Sequence, residues 1–380
     1  MIDAPGPWGT GPFTLVEGHS ILVPEQAIIG REPFAATYLW REERTPRLRL
    51  VANAGYWDRA RGPHLQELIF RNDLSPERAL ELVCTTEGEV DLVTEVAPAA
   101  AARVEASAHA RLVAIDAIRT VAGVIDRDAD GLPLGDARAR RALNLAIDRG
   151  ALVREALFGR AKPLAGLTPP AAVPLLDRVL HPRFAPYAHD PAQAGELWRA
   201  AGGAGCRPLR IATWEKLGAV AARVAADLRA ALGVEVEVSV YGREEQLVAR
   251  RRLATRERPG VWDILILEHG PQAADGPPLE LHRAFVGADG EYRAGPVVPA
   301  FAALYAELVG ETAKLKQAGI AHRIDTFVHD EALALFLCAP QALYAVNNEV
   351  DFTPHATTFE LAQTTVSAAH WSRRDAAPTA

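Results

Sequence analysis

Five residues, Thr213, Trp214, Tyr241, Glu268 and His269, each close a short apolar run and together offer an indole face, a phenol, a carboxylate and an imidazole. Such a set can hold a small polar molecule by stacking, hydrogen bonding and charge. The alternative is aromatic rings packed under loops beside solvated charges. No HExxH, GxSxG, Walker A or CxxC pattern occurs, and no nucleophile sits beside a histidine in a recognisable arrangement. The residues therefore read as those of a binder that does no chemistry.

Three patterns raise the question of a metal. Asp126-Arg127-Asp128-Ala129-Asp130-Gly131 places acids at positions 1, 3 and 5 and glycine at 6 of a calcium loop. Position 12, where a bidentate glutamate belongs, is Ala137, so an acidic hinge loop is the simpler reading. His322 and His329 lie seven apart on a predicted helix, about 10 Å by helical rise and too far for one ion. His269 and His282 suit nickel or copper by ligand type but lack a third partner. No metal site and no cofactor is expected.

The elements that must position the five residues lie between Arg207 and Gln272. Leu209 to Trp214 is a short apolar strand. From Leu217 to Leu232, the residues Val220, Val224, Leu228 and Leu232 recur every four positions, the stripe of one buried helix face, and Gly233 follows at the C-cap position. Val234, Val236, Val238 and Val240 then alternate with polar residues, as in a strand with one wet face near a sheet edge. A helix over residues 243–256 leads to Trp262–Leu267, apolar enough for a covered strand. Three strands and two crossover helices in alternation predict a parallel wound sheet, whose ligands lie beyond the strand carboxyl ends. Those ends carry Thr213, Trp214, Tyr241, Glu268 and His269.

With 380 residues, 49% of them hydrophobic and 23% charged, the chain can bury a full core and divide into two domains. A net charge of -7, with no basic run beyond Arg250-Arg251-Arg252, leaves no nucleic-acid footprint. Cys84, Cys206 and Cys338 are odd in number and far apart, so they form no disulfide framework. No segment reaches membrane-spanning length, which excludes direct membrane insertion by a helix. The first residues lack the basic and apolar regions of a signal peptide.

Along the rest of the chain, residues 13–16, 47–51 and 65–70 read as strands, with a polar, poorly periodic stretch before Arg47. Ser75 caps a helix running to about Thr86, with Pro76 at its first position. Asp136 and Asp148 cap two short helices whose buried stripe includes Ala142, Leu143, Ala146 and Ile147, with Arg138, Arg140 and Arg141 mostly outside. Pro163, Pro169, Pro170 and Pro174 make Ala161 to Pro174 a fixed, extended loop, and Asp190-Pro191 opens a helix ending at Gly202-Gly203. Residues 301–316 and 322–337 are predicted helices, and 341–346 a strand or crossover.

Several of these stretches resemble one family. Gly9-Thr10-Gly11-Pro12-Phe13, Asn53-Ala54-Gly55-Tyr56-Trp57 and Glu87-Gly88-Glu89-Val90-Asp91 come in the order found in family 5 extracellular solute-binding proteins, the peptide and nickel receptors of ABC importers. The segment from Leu134 to Arg149, continuing to Leu157-Phe158-Gly159, is similar to the family's most recognisable stretch. Resemblance runs from Gly9 to Trp371. It implies a two-lobed α/β fold of the periplasmic-binding-protein type (type II) with mixed or parallel wound sheets. The first lobe would be residues 1–128 completed by 341–380, and shortened, since a stretch that lies well inside a full member begins here at residue 9. The second, larger lobe would be residues 129–340, with hinge crossings near Asp126 to Leu134 and Pro340 to Tyr344.

The resemblance further implies the substrate-binding component of an ABC importer, taking a peptide-like, small polar or metal-chelate solute between its lobes and passing it to a permease. In peptide-binding relatives the loop after the third strand carries an acid that pairs with the ligand's amino terminus, and Asp275 is the best positional match, Glu268 the next. Trp214 would stack on the solute, Tyr241 would donate a hydrogen bond, and His269 would line the same site. The family's location is periplasmic or extracellular, and the missing signal peptide makes the cytoplasm the alternative. An intracellular ligand-sensing or protein-interaction domain derived from the same fold is the second functional reading.

Overall fold

A computed structural model describes residues 5–6, 9–29, 36–172, 185–255, 257, 260–270, 279–356 and 359–374. The chain divides into two compact units. Unit one takes in the described residues within Met1–Ala27, Tyr38–Ile115 and Ala342–Ala380, and unit two those within Ile28–Thr37 and Asp116–Gln341.

The first strands are β1 (Phe13–Glu17), β2 (Ser20–Ile29), β3 (Ala36–Arg44), β4 (Arg47–Ala52), β5 (Glu67–Arg71), β6 (Leu92–Val93) and β7 (Ala110–Asp116). β1, β4 and β5 form an antiparallel sheet in that order, with Leu15, Leu48 and Leu50 buried on one face beside Phe13 and Leu68. β2 and β3 pair with each other, where the sequence shows only a poorly periodic stretch. Two strands that pair only with one another need no single apolar face, so the usual alternation is not required of them.

Unit two is built on β8 (Thr120–Ile125), β9 (Ala161–Pro163), β10 (Leu209–Trp214), β11 (Val236–Tyr241), β12 (Ile264–His269) and β13 (Ala334–Asn347). The sheet order is β11-β10-β12-β8-β13, with β9 on β13. β10 runs parallel to β11 and β12, whereas β12 and β13 each run antiparallel to β8, so the sheet is mixed. The predicted wound segment is present, with helices Gly218–Leu232 and Arg243–Ala254 as its crossovers and Gly233 left-handed (φ 64°) at the cap. Two apolar clusters pack on this sheet, one containing Leu143, Ile147, Trp198, Val224 and Leu228, the other Trp262, Phe285, Phe301, Ile324 and Phe336. Past Gln341, β13 continues into unit one, where it pairs with β6; the short strands β14 (Val350–Asp351) and β15 (Thr365–Val366) follow.

The predicted N-caps form. Ser75, Asp136, Asp148 and Asp190 accept from the amides of Arg78, Arg138, Ala151 and Gln193 respectively. Several expectations fail: the loop expected from Ala161 begins as β9, and the helix expected over 301–316 ends at Gly310. Arg140 is buried rather than outside, donating to the carbonyls of Leu134, Gly135 and Glu331. The helix predicted over 322–337 is instead Lys314–Asp330, and Ala334–Leu337 belongs to β13. The helix stops at Ala332, which takes a left-handed φ of 47° while Leu333 N donates to Val328 O. A left-handed cap on alanine carries no glycine to announce it.

Candidate functional site

Because β10, β11 and β12 are parallel, their carboxyl ends share one edge of the sheet. The register sets Trp214 opposite Tyr241, with ring centroids 6.2 Å apart at 39°. Trp214 is half-buried and Tyr241 buried, and burial raises the Tyr241 phenol above its ordinary pKa, keeping its proton available for donation. Thr213 is not part of this surface. Fully buried, it donates from Oγ1 to Ile266 O at 2.9 Å and fastens β10 to β12.

Glu268 and His269 come from the end of β12, opposite Val121 and Thr120 of β8. The Glu268 carboxylate sits 3.4 Å from Arg119 Nη1 and 3.3 Å from Lys216 Nζ. His269 is half-buried, with Nδ1 3.4 Å from the Tyr292 hydroxyl and the two rings edge to face at 5.6 Å. Its Nε2 is buried and, among the described residues, meets no hydrogen-bond partner. Burial lowers the imidazole pKa, so the ring is neutral near neutral pH. Asp275 lies outside the described residues.

Arg119, Lys216 and Tyr292 are the parts of this site that sequence reasoning missed. Lys216 follows Trp214 by two residues and could have been found by extending the strand end into its turn. Arg119 reaches Glu268 only because β8 lies antiparallel beside β12, a pairing that no local pattern announces.

The other patterns have structural occupations. His282 is buried with Nε2 2.6 Å from Asp325 Oδ1, and Thr168 donates to both oxygens of that carboxylate. His329 Nδ1 is 2.7 Å from Ala165 O. Asp126 is buried and accepts from the Asp128 amide, closing the acidic turn on itself. Among the described residues, no group of three or more His, Cys, Asp or Glu could hold a metal ion.

The α/β fold with its mixed sheet is that of type II periplasmic binding proteins. The model for bacterial extracellular solute-binding proteins, family 5 Middle, matches residues 3–281, and the chain belongs to that family. Similar solved structures include the Listeria monocytogenes ABC transporter substrate binding protein CtaP (TM-score 0.74, 16% identity, 94% of this chain and 67% of that one). Brucella suis NikA, in complex with Fe(III)-EDTA, gives a TM-score of 0.69 at 19% identity, covering 94% of this chain and 68% of that one. Helicobacter pylori DppA, in complex with peptide STSA, gives 0.66 at 17% identity over 94% and 63%. Among curated relatives, the glutathione-binding protein GsiB of Salmonella choleraesuis (strain SC-B67) is 30% identical over 149 residues, 39% of this chain and 27% of that protein. The chain thus spans about two thirds of the CtaP and NikA chains and matches about a quarter of the curated relative. These neighbours are binding proteins rather than enzymes. No helix among the described residues is long and apolar enough to cross a membrane.

Proposed function

We propose that the chain binds a small peptide-like, polar or metal-chelate solute at the carboxyl ends of β10, β11 and β12, as the substrate-binding component of an ABC importer acting outside the cytoplasmic membrane. The observation that carries this reading is the Trp214–Tyr241 ring pair at the ends of two parallel strands, with Glu268 near the end of the neighbouring parallel strand β12. Trp214 supplies a stacking face, Tyr241 a donor, and His269 a neutral ring with a buried nitrogen that has no partner among the described residues. The pair between Glu268 and Lys216 is long and Lys216 is exposed, so a solute ammonium can replace Lys216 at little cost. Asp275 is the second acid proposed for that ammonium. The chain would hold and release its solute to a permease without chemistry.

Isothermal titration with di- to pentapeptides and with nickel chelates tests this. A binding solute should lose roughly two- to tenfold in affinity with Trp214→Ala, since a stacked aromatic pair contributes roughly 0.5–1.5 kcal/mol. Undiminished affinity in that variant would place the solute elsewhere. Peptides that lose affinity with Asp275→Asn but not with Glu268→Gln would assign the ammonium to Asp275. A bound solute at a hundredfold its dissociation constant should also stabilise the fold by about 2.7 kcal/mol.

A further inference from the structure

β5 is the outer strand of the β1-β4-β5 sheet, and among the described residues no other strand lies against its free edge. Ala52 N donates to Gln66 O and Asn72 N to Pro46 O, which fixes the phase of the β4–β5 ladder. Leu68 and Phe70 therefore turn their backbone groups toward β4, whereas Glu67, Ile69 and Arg71 turn theirs outward. The strand also keeps large apolar side chains in water, with Ile69 54% and Phe70 40% exposed. Soluble proteins usually blunt such an edge with proline, lysine or a bulge. Glu67–Arg71 has none of these within it.

Its sequence, Glu-Leu-Ile-Phe-Arg, is complementary to itself when read antiparallel. With a two-fold axis at Ile69, Glu67 of each copy faces Arg71 of the other, Leu68 faces Phe70, and Ile69 faces Ile69. The residues that would form the hydrogen-bonded pairs of this ladder, 67, 69 and 71, are the ones whose backbone groups already point outward. Sliding the register by two residues in either direction loses both charge pairs, so the charges select a single alignment. Within one chain Glu67 already meets Arg49, and Arg71 meets Asp73 through two bonds of 2.7 and 2.8 Å. Pairing would join these into a row of alternating charge across the interface.

We propose that β5 is a homodimerisation edge, on which a second copy of this chain adds its own β5 antiparallel and continues the sheet to six strands. The occupant is a second copy because the charge pattern is satisfied by this sequence reversed. A ribbon of five residues buries little area, so the dimer is weak and concentration-dependent.

Sedimentation equilibrium of the full chain over about two decades of concentration tests the proposal. The mass should rise from monomer toward dimer, and Ile69→Lys, which sets two lysines face to face on the axis, should weaken association at least about tenfold. Glu67→Arg and Arg71→Glu should each lose the dimer, by placing like charges opposite one another. Their equimolar mixture should regain it, because one strand then carries two arginines and the other two glutamates. Circular dichroism of each variant checks that the fold is kept. A wild type that stays monomeric throughout, association unchanged in Ile69→Lys, or a mixture no better than its components would overturn the proposal.

Discussion

Asp263 has no exposed side-chain surface, yet it stays ionised because two guanidinium groups close on it. Arg207 donates to its oxygens at 2.7 and 2.8 Å, Arg210 at 2.9 and 3.2 Å, and the Arg210 amide adds a bond of 2.8 Å. Burial alone would raise the carboxyl pKa, but these bonds outweigh it and hold the group below the usual aspartate range. A depressed folded pKa means that the stability is fully present above the unfolded value, about 3.9, and is lost as pH falls through the folded one. Asp263→Asn should therefore cost about 3 kcal/mol at neutral pH. It should also flatten the loss of stability below about pH 4, as read from urea unfolding across a pH series. Arg149 shows the opposite solution for a buried charge. Among the described residues it pairs with no carboxylate and donates to the carbonyls of Asn144, Phe336 and Tyr187 and to Asn144 Oδ1. Burial brings its pKa down to about 10, which still leaves it charged at neutral pH.

At the scale of elements, the helix Pro191–Ala200 and the turn after it depend on one missing methyl group. A Cβ on Gly203 would lie 2.4 Å from the ring of Trp198, which is buried in the core of unit two, while Gly203 N donates to Trp198 O. Gly203→Ala should destabilise by about 1–3 kcal/mol in chemical denaturation, the usual cost of overpacking. The helix caps and the wound β10–β12 segment were legible in the sequence because their signals act over three or four residues or along one strand. What escaped depends on partners distant in the chain. Ala334–Leu337 is a uniform apolar run, which suits a buried helix or a covered strand equally, and only its place beside β8 settles the matter. Arg140 looks like any surface arginine until the carbonyl of Glu331, far along the chain, is brought to it. At the candidate site the strand-end residues Trp214 and Tyr241 were readable, whereas Arg119 beside Glu268 was not, since it leads into β8, a strand that runs the other way.

In the whole molecule, unit one is assembled from both ends of the sequence. Asp91 is where they are tied, with one carboxylate oxygen accepting from Asn347 Nδ2 at 3.0 Å and Trp371 Nε1 at 2.9 Å and lying 3.2 Å from His370 Nε2. Arg374 adds a paired contact with Glu87. Asp91→Ala removes a shared acceptor for several donors, and should cost about 2 kcal/mol. Hydrogen exchange should show this as faster opening of residues 367–374, with unit two unaffected.

The place of β13 bears on how the protein is made. β8 has β12 on one side and β13 on the other, and β13 leaves the ribosome roughly two hundred residues after β8. At about 5–20 residues per second, the inner edge of the main sheet therefore waits on the order of 10–40 s for its partner. Its neighbours β10, β11 and β12 can wind up meanwhile from contacts close in sequence. A nascent chain stalled before Ala334 would thus present a nearly complete sheet with one apolar flank open, a substrate for chaperones rather than a folded protein.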